Sequence, residues 1–249
     1  MDFLNLKGDY VVEILSYYLW GQSTPPSDLA RKDNRVLIGK DYQARDERAS
    51  ITIEASAFDY MQYVDRYTNA TNFGVFQKFF KYSFNEEELR LFKDRIENGF
   101  YVLGLDDIVK KLYKKNPFVD GEGKYNEENM DVAISHYGLD SNSSDYAKRA
   151  FAFGSTRIAF NEDVKFYINA KTYEPFCLSN LKLYPLEDNF DFESDNGFAK
   201  IINPYLEKKI DPLKIGRIVN IKFVDIEKIE PISISKKYFQ ELENKNKID

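Results

Sequence analysis

Residues 164–184 read VKFYINAKTYEPFCLSNLKLY, and this stretch decides the fold class. From Val164 to Ala170 apolar and polar side chains alternate, and the pattern returns from Phe176 to Tyr184 through Leu178, Leu181 and Leu183. A period of two sends successive side chains to opposite faces of a strand. Asn161–Glu162–Asp163 and Lys171 to Pro175 supply turns, so the segment reads as an antiparallel meander. Around it, Ala150 to Phe160 is rich in small and aromatic residues, and Ile215 to Val224 is the clearest strand in the chain. The last residues, KKYFQELENKNKID, form a short charged helix.

Upstream the period changes to that of a helix. Val11, Ile14, Leu15, Tyr18 and Leu19 lie on one helical face that Gly21 ends. Ser50 to Glu54 alternates only weakly, whereas Phe58, Met61, Val64 and Tyr67 return to helical spacing. Asn85 followed by Glu86, Glu87 and Glu88 is a helix start, because the amide side chain and three carboxylates suit the free N–H groups there. Leu89, Phe92 and Ile96 continue that helix, with Gly99 as its stop, and Asp106 caps the next one. Residues 116–129 are polar and Gly-rich and read as a linker. A further helix then carries Met130, Ala133, Ile134 and Tyr137 to Gly138. The expected architecture is α+β, a helical N-terminal half followed by a twisted antiparallel β-sheet. Its parts are a mostly helical region at 1–125 and a β-rich domain with flanking helices at 126–249.

Composition narrows the chemistry. The chain has 249 residues, 43% of them apolar and 31% charged, the balance of a folded globular chain. One cysteine, Cys177, excludes an internal disulfide, and one histidine, His136, excludes sites that need two. A net charge of −6 is the wrong sign for a general nucleic-acid binder. No apolar run is long enough for a membrane-spanning helix. The opening MDFLNLKGDY lacks the basic region and apolar run of a secretory signal. The expectation is synthesis in the cytoplasm, with any export by another route. Aromatic residues are abundant, 20 Phe and 18 Tyr. The run FGVFQKFFKYSF at 73–84 suits either a core or a surface for membrane or stacked bases, and an aromatic stripe is more often core.

The densest polar feature is residues 187–195, which hold five carboxylates in nine positions: Glu187, Asp188, Asp191, Glu193 and Asp195. Clustered carboxylates raise one another's pKa or bind a hard cation such as Mg²⁺ or Ca²⁺. Asp188 and Asp191 are the candidate metal ligands and acid–base groups. Asn196 and Ile202 stand where an EF-hand needs its glycine and its bidentate glutamate. The competing reading is a solvated acidic turn. His136 is the one side chain that titrates near neutrality unaided, a candidate general base or a boundary histidine bonded to backbone. Phe153–Gly154–Ser155–Thr156–Arg157 could hold a phosphate, with Arg157 neutralising its charge, or could form a bulge.

From Ala152 to about Phe223 the order of elements resembles the activity domain of the colicin M family, bacterial toxins that cleave lipid-linked peptidoglycan precursors. The shared order is a small-residue strand (Ala152–Phe153–Gly154), an alternating strand, a turn, another strand, then Asp188–Asn189–Phe190–Asp191–Phe192. Where the family motif has its tyrosine this chain has Phe190, and where it has His-Arg this chain has Gly197 and Phe198. The resemblance implies an antibacterial effector acting on a phosphate-containing envelope precursor, with a lipid-linked phosphate as partner and Asp188, Asp191, His136 and Arg157 as the catalytic group. The meander would bring Arg157 and Asp191 to one sheet, with His136 closing the group. The alternative is a non-enzymatic binding or structural protein that meets a protein partner through an aromatic-rich surface.

Overall fold

The computed structural model describes residues 2–8, 10–20, 50–134, 156–190 and 219–245. In chain order these form β1 (Asp2–Leu4), α1 (Tyr10–Trp20), β2 (Ile51–Ser56), α2 (Ala57–Met61), α3 (Arg66–Ala70), α4 (Gly74–Lys81) and α5 (Glu86–Leu89). A 3₁₀ segment (Arg90–Arg95) leads to β3 (Ile96–Glu97), β4 (Phe100–Leu103), α6 (Leu105–Leu112), a 3₁₀ turn (Glu127–Asn129) and β5 (Asp131–Ile134). The C-terminal part supplies β6 (Thr156–Phe160), β7 (Lys165–Asn169), β8 (Pro175–Leu181), β9 (Leu183–Pro185), β10 (Asp188–Phe190), β11 (Val219–Val224), β12 (Ile232–Ser235) and α7 (Lys236–Lys245).

The mixed helix and strand content stands, but a helical half followed by one sheet does not. Three sheets run through the described residues, in strand orders β1-β2-β11-β10, β12-β8-β7-β4-β3 and β5-β6-β9. The first two each draw on both the early and the late chain, whereas the third lies wholly within residues 131–185. In the first, β1, β2 and β11 are mutually parallel, and Ile51–Ser56 lies in register with Val219–Val224. Burial along β2 alternates, with Ile53 and Ala55 covered and Thr52 exposed, so this parallel strand faces the core on one side only. A lock ties the ends of β2 and β11. Asp225, in the left-handed region at φ 58°, accepts hydrogen bonds from Ser56 Oγ at 2.9 Å and the Phe58 amide at 3.3 Å.

Two expected helices are replaced for local reasons. Residues 85–99 begin as expected, with a full capping box between Asn85 and Glu88. The helix then tightens to 3₁₀ and gives way to a β3–β4 hairpin. Asn98 (φ 49°) and Gly99 (φ 84°) both have positive φ, the backbone that a two-residue hairpin loop requires. Gly99 therefore turns a hairpin rather than stopping a helix. Residues 131–134 are a strand, because Asp131, Val132, Ala133 and Ile134 pair with Ala159, Ile158, Arg157 and Thr156. Tertiary pairing outweighs the helical spacing there. Within 116–129, Phe118 is buried and Val119 bridges Tyr125.

The core is organised on α4. Its Phe76 and Phe79 are fully buried, and its neighbours Phe73, Val75 and Phe80 nearly so. Phe76 meets Phe160 of β6 at 4.9 Å between ring centroids, and Phe79 meets Phe166 of β7 at 5.0 Å. Phe80 meets Phe239 of α7 at 4.6 Å. The run at 73–84 is thus core. No helix among the described residues is long and apolar enough to cross a membrane.

Removing a buried ring leaves a cavity as well as lost transfer energy, typically about 3–5 kcal/mol for Phe→Ala. Phe160→Ala is expected to destabilise by that amount in urea unfolding followed by circular dichroism. Asn85→Ala, which removes one exposed cap, is expected to cost about 1 kcal/mol.

Candidate functional site

Arg157 lies on β6, where alternation sends Thr156 inward and Arg157 outward. Its guanidinium pairs Nε with the Asp131 carboxylate, and its NH2 group donates to the Glu128 carbonyl at 3.2 Å. Asp131 is mostly buried, its side chain 12% exposed, so this arginine compensates a carboxylate that water reaches poorly. The two partners come from the cross-strand neighbour β5 and from the 3₁₀ turn before it.

Asp188 opens β10, antiparallel to β11 with Asp188 opposite Ile221. One carboxylate oxygen accepts from Thr156 Oγ at 3.3 Å, and the other accepts from the Asn189 amide at 3.0 Å. Arg157 and Asp188 therefore belong to different sheets, β5-β6-β9 and β1-β2-β11-β10, rather than to one meander. Thr156 is the residue the structure brings to Asp188, while Arg157 faces the other way. His136 and Asp191 lie outside the described residues, as do Phe153, Gly154 and Ser155 of the candidate phosphate loop and most of the acidic run. Among the described residues, no group of three or more His, Cys, Asp or Glu side chains is placed to hold a metal ion.

Beside Arg157 stands a second polar contact. Tyr184 of β9 is buried, and its hydroxyl donates to Glu127 Oε1 at 3.0 Å. Burial, then the neighbouring Glu127 and Glu162 charges, push the Tyr184 phenol well above its ordinary value. The Tyr125 phenol, bonded to Asp106 at 2.5 Å, is raised by burial and that carboxylate in the same way. Perturbed groups often mark reactive sites. Here each phenol is spent on a carboxylate that anchors the 113–130 segment to the core.

The described structure shows a different candidate on the five-stranded sheet. Its inner face is the core: Tyr101, Leu103, Phe166, Ile168, Leu178 and Ile234 are buried. Helix α4 reaches that face through Phe79 on Phe166, and α7 packs against α4 through Phe239 on Phe80. On the outer face stand Phe100, Val102, Tyr167 and Cys177, all half-buried. Tyr167 is opposite both Cys177 and Val102, and Phe100 is opposite Asn169. The register shifts between Tyr167 and Ile168, which leaves Phe176 as an extra residue in β8. That bulge lifts Phe176 to 47% exposure and lays its ring over Phe100, with centroids 4.5 Å apart. Burial raises the Cys177 thiol above its usual pKa, so it is a poor nucleophile on this surface.

Comparison with protein-family models, with curated proteins and with solved structures finds no match to this chain.

The roles of Arg157 and Tyr184 can each be measured. Arg157→Ala leaves the Asp131 carboxylate without its cation and is expected to cost about 1–3 kcal/mol, partly recovered in the double variant with Asp131→Asn. A phenol whose folded pKa is raised stabilises fully below the unfolded value of about 10 and loses that contribution as pH climbs above it. Stability should therefore fall above pH 10, and Tyr184→Phe should make the fall shallower in alkaline titrations followed by circular dichroism.

Proposed function

We propose that this protein acts by binding, and that its working surface is the outer face of the five-stranded sheet. The observation that carries the reading is the Phe100–Phe176 ring pair, held on an open sheet face by a bulge. Rigid aromatic rings offer large contact area at low conformational cost, which is why they anchor protein interfaces. The bulge lays the Phe176 ring on Phe100 and leaves it 47% exposed, so the pair is presented to solvent. The envelope-precursor reading has less support, since Arg157 is engaged by Asp131 and Glu128 and Asp188 by Thr156.

Site-specific photo-crosslinking tests the reading in cells that make the protein. A benzophenone amino acid in place of Phe176 is expected to give one discrete adduct. The same group in place of Leu91, which is 83% exposed but lies in the 3₁₀ segment, is expected to give none. Failure of the Phe176 position to form any adduct would overturn a binding role for this face.

A further inference from the structure

Resting on that reading, the register of the sheet identifies the occupant. Two charged residues flank the aromatic patch on the same face. Glu97 of β3 is opposite Phe100, which is opposite Asn169, so all three share one row across the sheet. Lys165 lies four residues back along β7, at the far corner of the patch and facing the same way. Both are exposed.

The midpoint of the diagonal from Glu97 to Lys165 falls on one residue. Across the sheet, β4 lies between β3 and β7. Along the strands, the row that pairs Val102 with Tyr167 lies midway between the Glu97 row and Lys165. Val102 is therefore central in both directions. At about 4.8 Å between strands and 3.3 Å per residue, the two charges stand roughly 16 Å apart with Val102 halfway.

We propose that the outer face packs against the same face of a second copy of this chain, about a two-fold axis that runs parallel to the sheet and passes over Val102, midway between the two packed faces. An axis perpendicular to the Glu97–Lys165 diagonal exchanges its two ends. Each Glu97 then faces the Lys165 of the other copy, one ion pair at each end of the aromatic centre. The placement of one acid and one base makes the face its own complement, the condition for an isologous two-fold interface. A partner of uniform charge would oppose one of the two residues. The same axis makes the strands of the two copies cross at roughly 70°, toward the orthogonal class of sheet packing. Phe100 and Phe176 then lie at the dry centre and the charges at the rim, the usual order in protein interfaces.

Sedimentation equilibrium of the purified full chain over a wide concentration range tests the proposal. A concentration-dependent dimer is expected. Glu97→Lys or Lys165→Glu alone puts like charges at both rims and should weaken the dimer about tenfold, since the symmetry doubles each change. The double reversal, Glu97→Lys with Lys165→Glu, should restore the association. Phe176→Asp should leave a monomer with unchanged circular dichroism, because Phe176 is already half-exposed. Alkylation of Cys177 by iodoacetamide should slow as wild-type concentration rises and stay constant in Phe176→Asp. A chain that is monomeric at every concentration overturns the self-association, as does a dimer whose double reversal stays as weak as the single ones. A monomer that still forms the Phe176 cross-link to a different protein overturns the second copy alone and leaves the binding face standing.

Discussion

The structure depends on the apolar side of one eight-residue helix. Gly74–Lys81 places Phe76 and Phe79 one turn apart, and those rings touch strands of two different sheets, Phe160 of β6 and Phe166 of β7. Phe73, just before the helix, adds a second contact on Phe160 at 5.1 Å, and Phe118 closes on the same ring at 5.7 Å. Edge-to-face contacts at these distances contribute beyond the area they bury. No strand of the three-stranded sheet pairs with one of the five-stranded sheet, so beyond the chain link at Lys182 between β8 and β9 they are joined by side chains, and this helix supplies many of them. The abundance of phenylalanine is first of all a consequence of that joint.

How much of this was legible depended on whether the signal was local. The alternation after Val164 marks β7, and the stripe in 73–84 marks α4, because each is set by neighbours a few positions away. Asn85 and its three glutamates mark a helix start for the same reason. The pairing of Ile51–Ser56 with Val219–Val224 was not legible, since a parallel partner leaves no turn between the two strands. Residues 131–134 carry a helical spacing that the ladder to β6 overrides. At Asn98–Gly99 the dipeptide was itself a hairpin signal, and the helix-stop reading of Gly99 competed with it.

The polar candidates and the open face differ in the same way. Arg157 and Asp188 looked alike as charged residues near strand ends, and only the fold shows that one serves Asp131 while the other takes Thr156. The outer face did leave a trace in the sequence. In Lys165–Phe166–Tyr167–Ile168–Asn169 the apolar character does not stay on one parity: Phe166 and Ile168 point inward, yet Tyr167 is aromatic too. A strand with aromatic residues on both parities either is covered on both sides or presents a sticky face. What the sequence could not show is the bulge that exposes Phe176, because one extra residue is invisible until the partner strand is known.

Occupancy of the outer face of the five-stranded sheet in solution can be measured at a single residue. Nuclear magnetic resonance reads it most directly at Val102, the midpoint of the face, by the relaxation that a freely dissolved paramagnetic agent induces in its methyl groups. With the face occupied by a second copy, this relaxation drops as protein concentration rises, while that of exposed Leu91 stays constant. A Val102 signal equally accessible to the agent at every concentration would contradict that occupancy.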